Sequence, residues 1–159
     1  MARMLRIIAA ALMAAFASNQ AAQAREIPAA GLTFAEVVDW LKEKGQEATI
    51  STDGAGNKMI STVVGGVKSG VYLFDCKGER CGSIQFAIGW SDKGAITSTR
   101  LNEWNRAKRW GRAYFDTGKG IWVEMDVDMT PGGTYELLDD DLDTWTNTVR
   151  DFKAFFNLK

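Results

Sequence analysis

The segment Ile121–Met129 narrows the choice of fold most, because Ile121, Val123, Met125, Val127 and Met129 occupy every second position. Successive side chains of a strand point to opposite faces, so this alternation predicts a strand with one face on a core. Gly111–Asp116 precedes it as a hairpin partner around Thr117-Gly118-Lys119-Gly120. Downstream, Leu138, Leu142, Trp145, Val149, Phe152 and Phe156 recur at spacings of four and three, the apolar stripe of a long helix. Leu137 and Phe155 lie off that stripe, where they either widen the core face or form a dimer contact.

The strand's second face carries Trp122, Glu124, Asp126 and Asp128. Same-face neighbours on a strand are ~7 Å apart, so a paired-carboxylate role is geometrically open. A calcium loop of the EF-hand type is excluded, since Met129 stands where glycine is needed and Thr130-Pro131 follow. The simpler expectation is a solvated or arginine-paired face, with Arg112 as the neighbour. Asp139, Asp140, Asp141 and Asp143 crowd the early turns of the last helix, where they complement its positive end better than they would hold a metal.

Upstream, residues 25–31 read as a short extended lead-in. Thr33 and Glu36 form a capping box that opens a first helix, with Phe34, Val37, Val38 and Leu41 on its apolar face and Gly45 just past its end. Short strands follow: one around Ala48 and Ile50, then Lys58–Val64, Gly70–Cys76 and Ser83–Trp90, with Ile84, Phe86 and Ile88 on one face. Their connections are too short for parallel crossovers, so an antiparallel meander is predicted. The Asp53–Asn57 loop contains G-x-G, but it lacks the third glycine and following helix of a phosphate cradle and reads as a hairpin turn.

Cys76 and Cys81 bracket Lys77-Gly78-Glu79-Arg80, a spacing that lets them face each other at a hairpin mouth and close a disulfide. So short a loop implies a stabilisation of about 2 kcal/mol. The C-x-x-C spacing of a redox-active pair is absent, and no further cysteine or histidine exists to complete a metal site.

Ser98 is predicted to cap a second helix reaching about Arg109. Leu101, Trp104 and Ala107 share one side of it, Asn102, Arg106 and Arg109 the other, and Asn105 lies at the border. The helix would cover the sheet and leave a solvated basic face. A sharper reading makes Asn102, Asn105, Arg106 and Arg109 a partner contact, for an anion or an acidic peptide of another protein, with Arg106 and Arg109 as bidentate donors. A small-molecule sensor is the alternative, with Trp90, Trp104 and Trp110 lining an apolar pocket. A hydrolase using Asp126 and a second carboxylate is a further alternative.

Composition limits the chemistry and suggests the compartment. The chain has no histidine, which removes Ser-His-Asp and Cys-His catalysis and the commonest metal ligand. Residues 1–24 read as a cleaved signal peptide: Arg3 and Arg6, then the apolar run Ile7–Ala17, then Ala22-Gln23-Ala24. That run is far short of the ~20 residues of a bilayer span, and no membrane anchor is expected. Losing Arg3 and Arg6 takes the formal charge from −1 to −3, which gives no reason to expect nucleic acid. The expected location is the periplasm or the exterior, where the two cysteines would oxidise.

The stretch LNEWNRAKRWGRAYFDTGKGIWVEMDVDMTPGG resembles the bacterial YbjN-domain family, supported by DCKGERCGSIQF upstream and ELLDDDLDTWTNTVRDF downstream. The resemblance spans roughly Leu32 to Phe156, and Asn102-Glu103-Trp104-Asn105 with its downstream arginines carries it most specifically. It implies a sensory-transduction regulator and a fold similar to type III secretion chaperones, which commonly dimerise; it implies no catalytic residues. The expectation is one α+β domain over residues 32–157, a two-layer sandwich of one antiparallel sheet packed by helices. Its function would be that of an exported, non-enzymatic binding module for a protein or peptide, without a cofactor, forming a homodimer through its exposed apolar positions.

Overall fold

The alternation at residues 121–129 builds the strand it predicts, and that strand lies inside the sheet. A computed structural model describes residues 24–91, 96–116 and 120–158. The proposed export signal, but for Ala24, lies outside the described residues, as do Asp92–Ile96's first four positions and Thr117-Gly118-Lys119 of the predicted hairpin turn. The elements are α1 (Phe34–Glu43), β1 (Ala48–Thr52), β2 (Lys58–Val64), β3 (Val67–Lys77), β4 (Arg80–Trp90), α2 (Ser98–Ala107), β5 (Arg112–Asp116), β6 (Gly120–Asp128) and α3 (Tyr135–Phe156). The six strands form one antiparallel sheet in the order β1-β2-β3-β4-β6-β5. This is the α+β arrangement read from the sequence.

The sheet buries one face. Ile60, Val71, Leu73, Ile84, Phe86 and Ile88 meet Ile121, Val123, Met125 and Val127 in one apolar cluster with all three helices. β6 joins β4 by pairing Phe86 with Met125 and Ile88 with Val123, which keeps both apolar rows on that face. From α3, Trp145 stacks on Phe86 with ring centroids 5.8 Å apart. Phe152 meets Trp90 at 5.3 Å and the edge of Trp104 at 4.9 Å. Phe155 also packs on Trp104, so it widens the core face, whereas Leu137 is exposed.

The cap of α1 forms as expected: Thr33 Oγ1 accepts from Glu36 N, and Glu36 accepts from Thr33 N. Arg80 ties this cap to the sheet through two bonds to the Glu36 carboxylate and one to Gly31 O. The lead-in is not loose. Ile27 is buried, its N–H donates to Gly133 O at 2.8 Å, and Leu32 pairs with Cys81 in both directions. Gly31 has φ +83°, and a Cβ there would lie 1.9 Å from Cys81 O, so this approach requires glycine.

Some boundaries differ from the sequence reading. β3 starts at Val67 rather than Gly70, because Gly65 and Gly66 both take left-handed φ (57° and 77°) and let pairing resume at once, Val64 opposite Val67. β4 likewise starts at Arg80. Thr97, not Ser98, caps α2, its Oγ1 accepting from Arg100 N at 3.3 Å. α2 ends at Ala107, because Lys108 turns extended, and Ala107 is exposed. Ile50 does not reach the core; it is exposed on edge strand β1. Cys76 and Cys81 stand opposite each other in the β3–β4 register and form a disulfide.

Candidate functional site

Helices cover only one face of the sheet, so function has to be sought among the alternate residues that point the other way. On β3 these are Gly70, Tyr72 and Phe74; on β4, Ser83, Gln85, Ala87 and Gly89; on β6, Trp122, Glu124, Asp126 and Asp128. β5 adds Arg112, Tyr114 and Asp116. Small residues in the centre and large ones at the sides make a trough of about 630 Å³, walled by the Asp53–Asn57 turn on one side and Tyr114 and Trp122 on the other. It continues into a hollow of about 250 Å³ beside Met59, Ser61 and Lys68, which shares Tyr72 and Trp122 with it.

Each wall is fixed by local chemistry. Asp53 Oδ1 accepts from the N–H groups of Ala55 (2.8 Å) and Asn57 (2.9 Å), an Asx-type closure of the β1–β2 hairpin. Asp53 Oδ2 accepts from Asn57 Nδ2 at 3.0 Å and, weakly, from the Tyr72 hydroxyl at 3.5 Å. Those bonds, led by Asn57, hold the Asp53 carboxyl below its ordinary range. Burial pushes the Tyr72 hydroxyl up, and Asp53 pushes it further.

Across the trough, Glu124 is buried although it lies on the face predicted to be solvated. It accepts from Arg112 Nη2 at 2.9 Å and from the Tyr114 hydroxyl. Arg112 is thus the arginine partner the sequence suggested. Burial and the bond to Glu124 push the Tyr114 phenol far up, so it stays a neutral donor. Asp126 accepts from Gln85 Nε2 at 2.8 Å. Neither carboxylate is left poised as an acid–base partner of the other. Trp122 is placed by packing: the position of a Cβ on Gly89 lies 2.6–2.9 Å from three atoms of its indole, so one ring face rests on bare glycine backbone. Its Nε1 is buried without a hydrogen-bond partner among the described residues.

The residues singled out in the sequence fall in two other places. On α2, Asn102 and Arg106 are exposed and have no partner among the described residues, and Arg109 lies over the Trp110 ring at 4.9 Å. Asn105 is committed to the fold: its side chain accepts from Ala113 N and donates to Ala113 O, both at 2.9 Å, joining α2 to β5. The remaining cations of the cluster are paired, Arg100 with Glu103 and Lys108 with Asp151. The three tryptophans do not converge on one pocket. Trp104 is fully buried with Nε1 donating to Gly111 O at 2.8 Å; Trp110 is half-exposed beside it on a hollow of about 210 Å³. Trp90 does not line that hollow; it packs on the Phe152 ring, which also meets Trp104.

Sequence reasoning missed Tyr72, Tyr114 and the Asp53 turn as parts of one surface. The signal was present, since Gly70, Tyr72 and Phe74 alternate with Val71 and Leu73, but joining the strands required their order. Asp139 also has a role beyond the helix end: it accepts from Trp40 Nε1 at 2.8 Å and from Lys44, clamping α1 to α3. Among the described residues, no three cysteine or carboxylate side chains converge to hold a metal ion, and no helix is long and apolar enough to cross a membrane.

Compared with known protein families, residues 33–157 match the YbjN family, described as "Putative bacterial sensory transduction regulator". No curated protein matches the chain.

Proposed function

The chain belongs to the YbjN family, and from that premise we propose that it is a non-enzymatic regulatory module that binds a peptide segment of another protein on the open face of its sheet. The observation that carries this reading is the trough of about 630 Å³ on the helix-free face, lined by aromatic and polar side chains and open to an extended ligand. Glu124 in it and Asp126 beside it are engaged by Arg112, Tyr114 and Gln85, and a chain without histidine has few other acid–base groups. Recognition fits this arrangement better than turnover. The reading includes export, with residues 1–24 removed and the Cys76–Cys81 bond formed outside the cytoplasm.

The test is peptide-array binding by the purified protein, a Trp122→Ala variant and an Arg106→Glu/Arg109→Glu variant, each checked for folding by circular dichroism. Binding should be lost with Trp122 and kept with both arginines reversed. The opposite pattern would move the site to α2, and no binding by any form would sink the module reading. Mass analysis of the protein from a periplasmic fraction checks export: a chain that retains residues 1–24 in the cytosol would refute it.

A further inference from the structure

The Cys76–Cys81 bond joins an exposed residue to a buried one, and we infer that it is a directional thiol-exchange site. A dithiol attacks Sγ of Cys76, and opening the bond frees residues 75–79 at the hairpin end while Cys81 stays seated. Neither cysteine lines the trough, so this inference goes beyond the peptide-binding reading and does not depend on it.

The two cysteines have opposite surroundings. Cys76 is exposed, whereas Cys81 is 1% exposed and belongs to the apolar core. Both border a hollow of about 410 Å³ that Phe34, Ile50 and Glu79 also line, which gives a small thiol a way in. An attacking thiolate therefore meets Sγ of Cys76 first. A bond forms between the reagent sulfur and Cys76, the Cys76–Cys81 bond breaks, and Cys81 leaves with the electron pair and takes up a proton. A thiolate in apolar surroundings is disfavoured, so Cys81 leaves slowly. It also stays beside the mixed disulfide, where it can attack Cys76 again and expel a monothiol. A dithiol escapes this reversal. Its second thiolate attacks its own bonded sulfur, closes a disulfide within the reagent and releases Cys76, which takes up a proton. The dithiol loses two electrons and the protein bond gains them, leaving two thiols. The bond is thus a substrate for dithiols rather than a redox catalyst.

The backbone decides which half moves. Cys81 N donates to Leu32 O at 2.8 Å, Cys81 O accepts from Leu32 N at 3.1 Å, and Gly31 is pressed against that carbonyl. The next residue, Gly82, accepts from Met129 N at 2.8 Å. On the Cys76 side, Asp75 has φ +55° and interrupts the β3–β4 ladder between the pairs Phe74–Ser83 and Cys76–Cys81. L side chains rarely adopt that conformation, so a backbone held in it relaxes when the bond beyond it opens. Past Asp75, two ladder pairs join the strands, Cys76–Cys81 and Lys77–Arg80. Cys76, Gly78 and Glu79 form one wall of the hollow, and their release widens it toward Phe34 and Ile50.

The experiment treats the purified protein with dithiothreitol or mercaptoethanol at equal thiol concentration, quenches with acid, and maps adducts and free thiols by peptide mass. Mercaptoethanol should form its mixed disulfide on Cys76 about tenfold more often than on Cys81, and dithiothreitol should open the bond about tenfold faster. In the reduced native protein, iodoacetamide should label Cys76 first, and urea should erase the difference. Hydrogen exchange should quicken over residues 75–79 and stay unchanged at Leu32 and through α1. Cys76→Ser, which leaves the buried thiol in place, should show the same local pattern without any reagent. Equal adducts on the two cysteines would overturn the direction of attack. Faster exchange throughout α1, or unfolding, in both the reduced protein and Cys76→Ser would make the bond a staple of the whole fold and overturn the local release. A bond that dithiothreitol opens only in urea would overturn the exchange site.

Discussion

The two faces of the sheet are made by the same strands and are held by different physics. On the helix-covered face, Phe86, Ile88 and Val123 meet Trp145, Val149 and Phe152, and almost every side chain is apolar and fully buried. Its stability comes from area removed from water and from close packing. On the open face, Tyr72, Tyr114, Trp122 and Glu124 hold their positions through hydrogen bonds, one ion pair and contact with glycine. The covered face therefore tolerates little change in volume. The open face is sensitive to which polar group has a partner, and its central small residues leave space that a ligand can fill.

The largest effect should come from the covered face. Phe152→Ala removes a ring that touches Trp90, Trp104 and Phe156 and should cost about 3–5 kcal/mol in urea or thermal unfolding. A loss under about 1 kcal/mol would show that the two faces differ less than their packing implies.

Gly89→Ala sharpens the contrast from the other side. The added methyl meets the Trp122 indole, so stability should fall by about 1–2 kcal/mol. In a Trp122→Ala background the same change should raise stability by about 0.5–1 kcal/mol, because alanine suits a strand interior better than glycine. Additive effects in the double-mutant cycle would mean that the indole does not rest on Gly89.

Glu124→Ala leaves the Tyr114 hydroxyl and Arg112 without their acceptor. Arg112 is two-thirds exposed and water can replace its partner, so a loss of about 1–2 kcal/mol is expected, chiefly through Tyr114. Glu124→Gln keeps an acceptor and should lose less; the phenol titration of Tyr114, followed by absorbance, should move down in both.

The smallest effect concerns acid. For Asp139, burial opposes ionisation, but the bonds from Lys44 and Trp40 outweigh it and hold the carboxyl below its ordinary 3.8. A depressed carboxyl stabilises the fold above its unfolded value and loses that contribution as pH falls through the folded one. Asp139→Asn should therefore lower stability by less than about 1 kcal/mol at neutral pH and flatten the acid limb below roughly pH 4. An unchanged acid limb would mean the clamp between α1 and α3 has no electrostatic part.

Much of the covered face was legible in the sequence. The period-two row of Ile121–Met129 and the stripe from Leu138 to Phe156 each state which side seeks the core, and Thr33 with Glu36 marks the start of α1. The open face was legible only in fragments. Glu124 reads as one acid in a polar row, and nothing in its neighbours along the chain announces that it is buried beneath Tyr114 and Arg112. Asn105 reads as a free polar group at a helix border, yet it is bound to Ala113 once β5 lies beside α2.

Local spacing alone determined the three helices, the hairpins, the cysteine pair and the assignment of apolar rows, because periodicity and turn chemistry act over a few residues. The order β1-β2-β3-β4-β6-β5, with β6 inserted between β4 and β5, was decided only in the tertiary structure. Several strand orders bury the same apolar rows, and what separates them is the fit of side chains from distant segments, which no local pattern records. The trough exists because of that order: Tyr72 and Trp122 are fifty residues apart in the chain, and they share a surface only because β4, lined on that face by Ala87 and Gly89, lies between them.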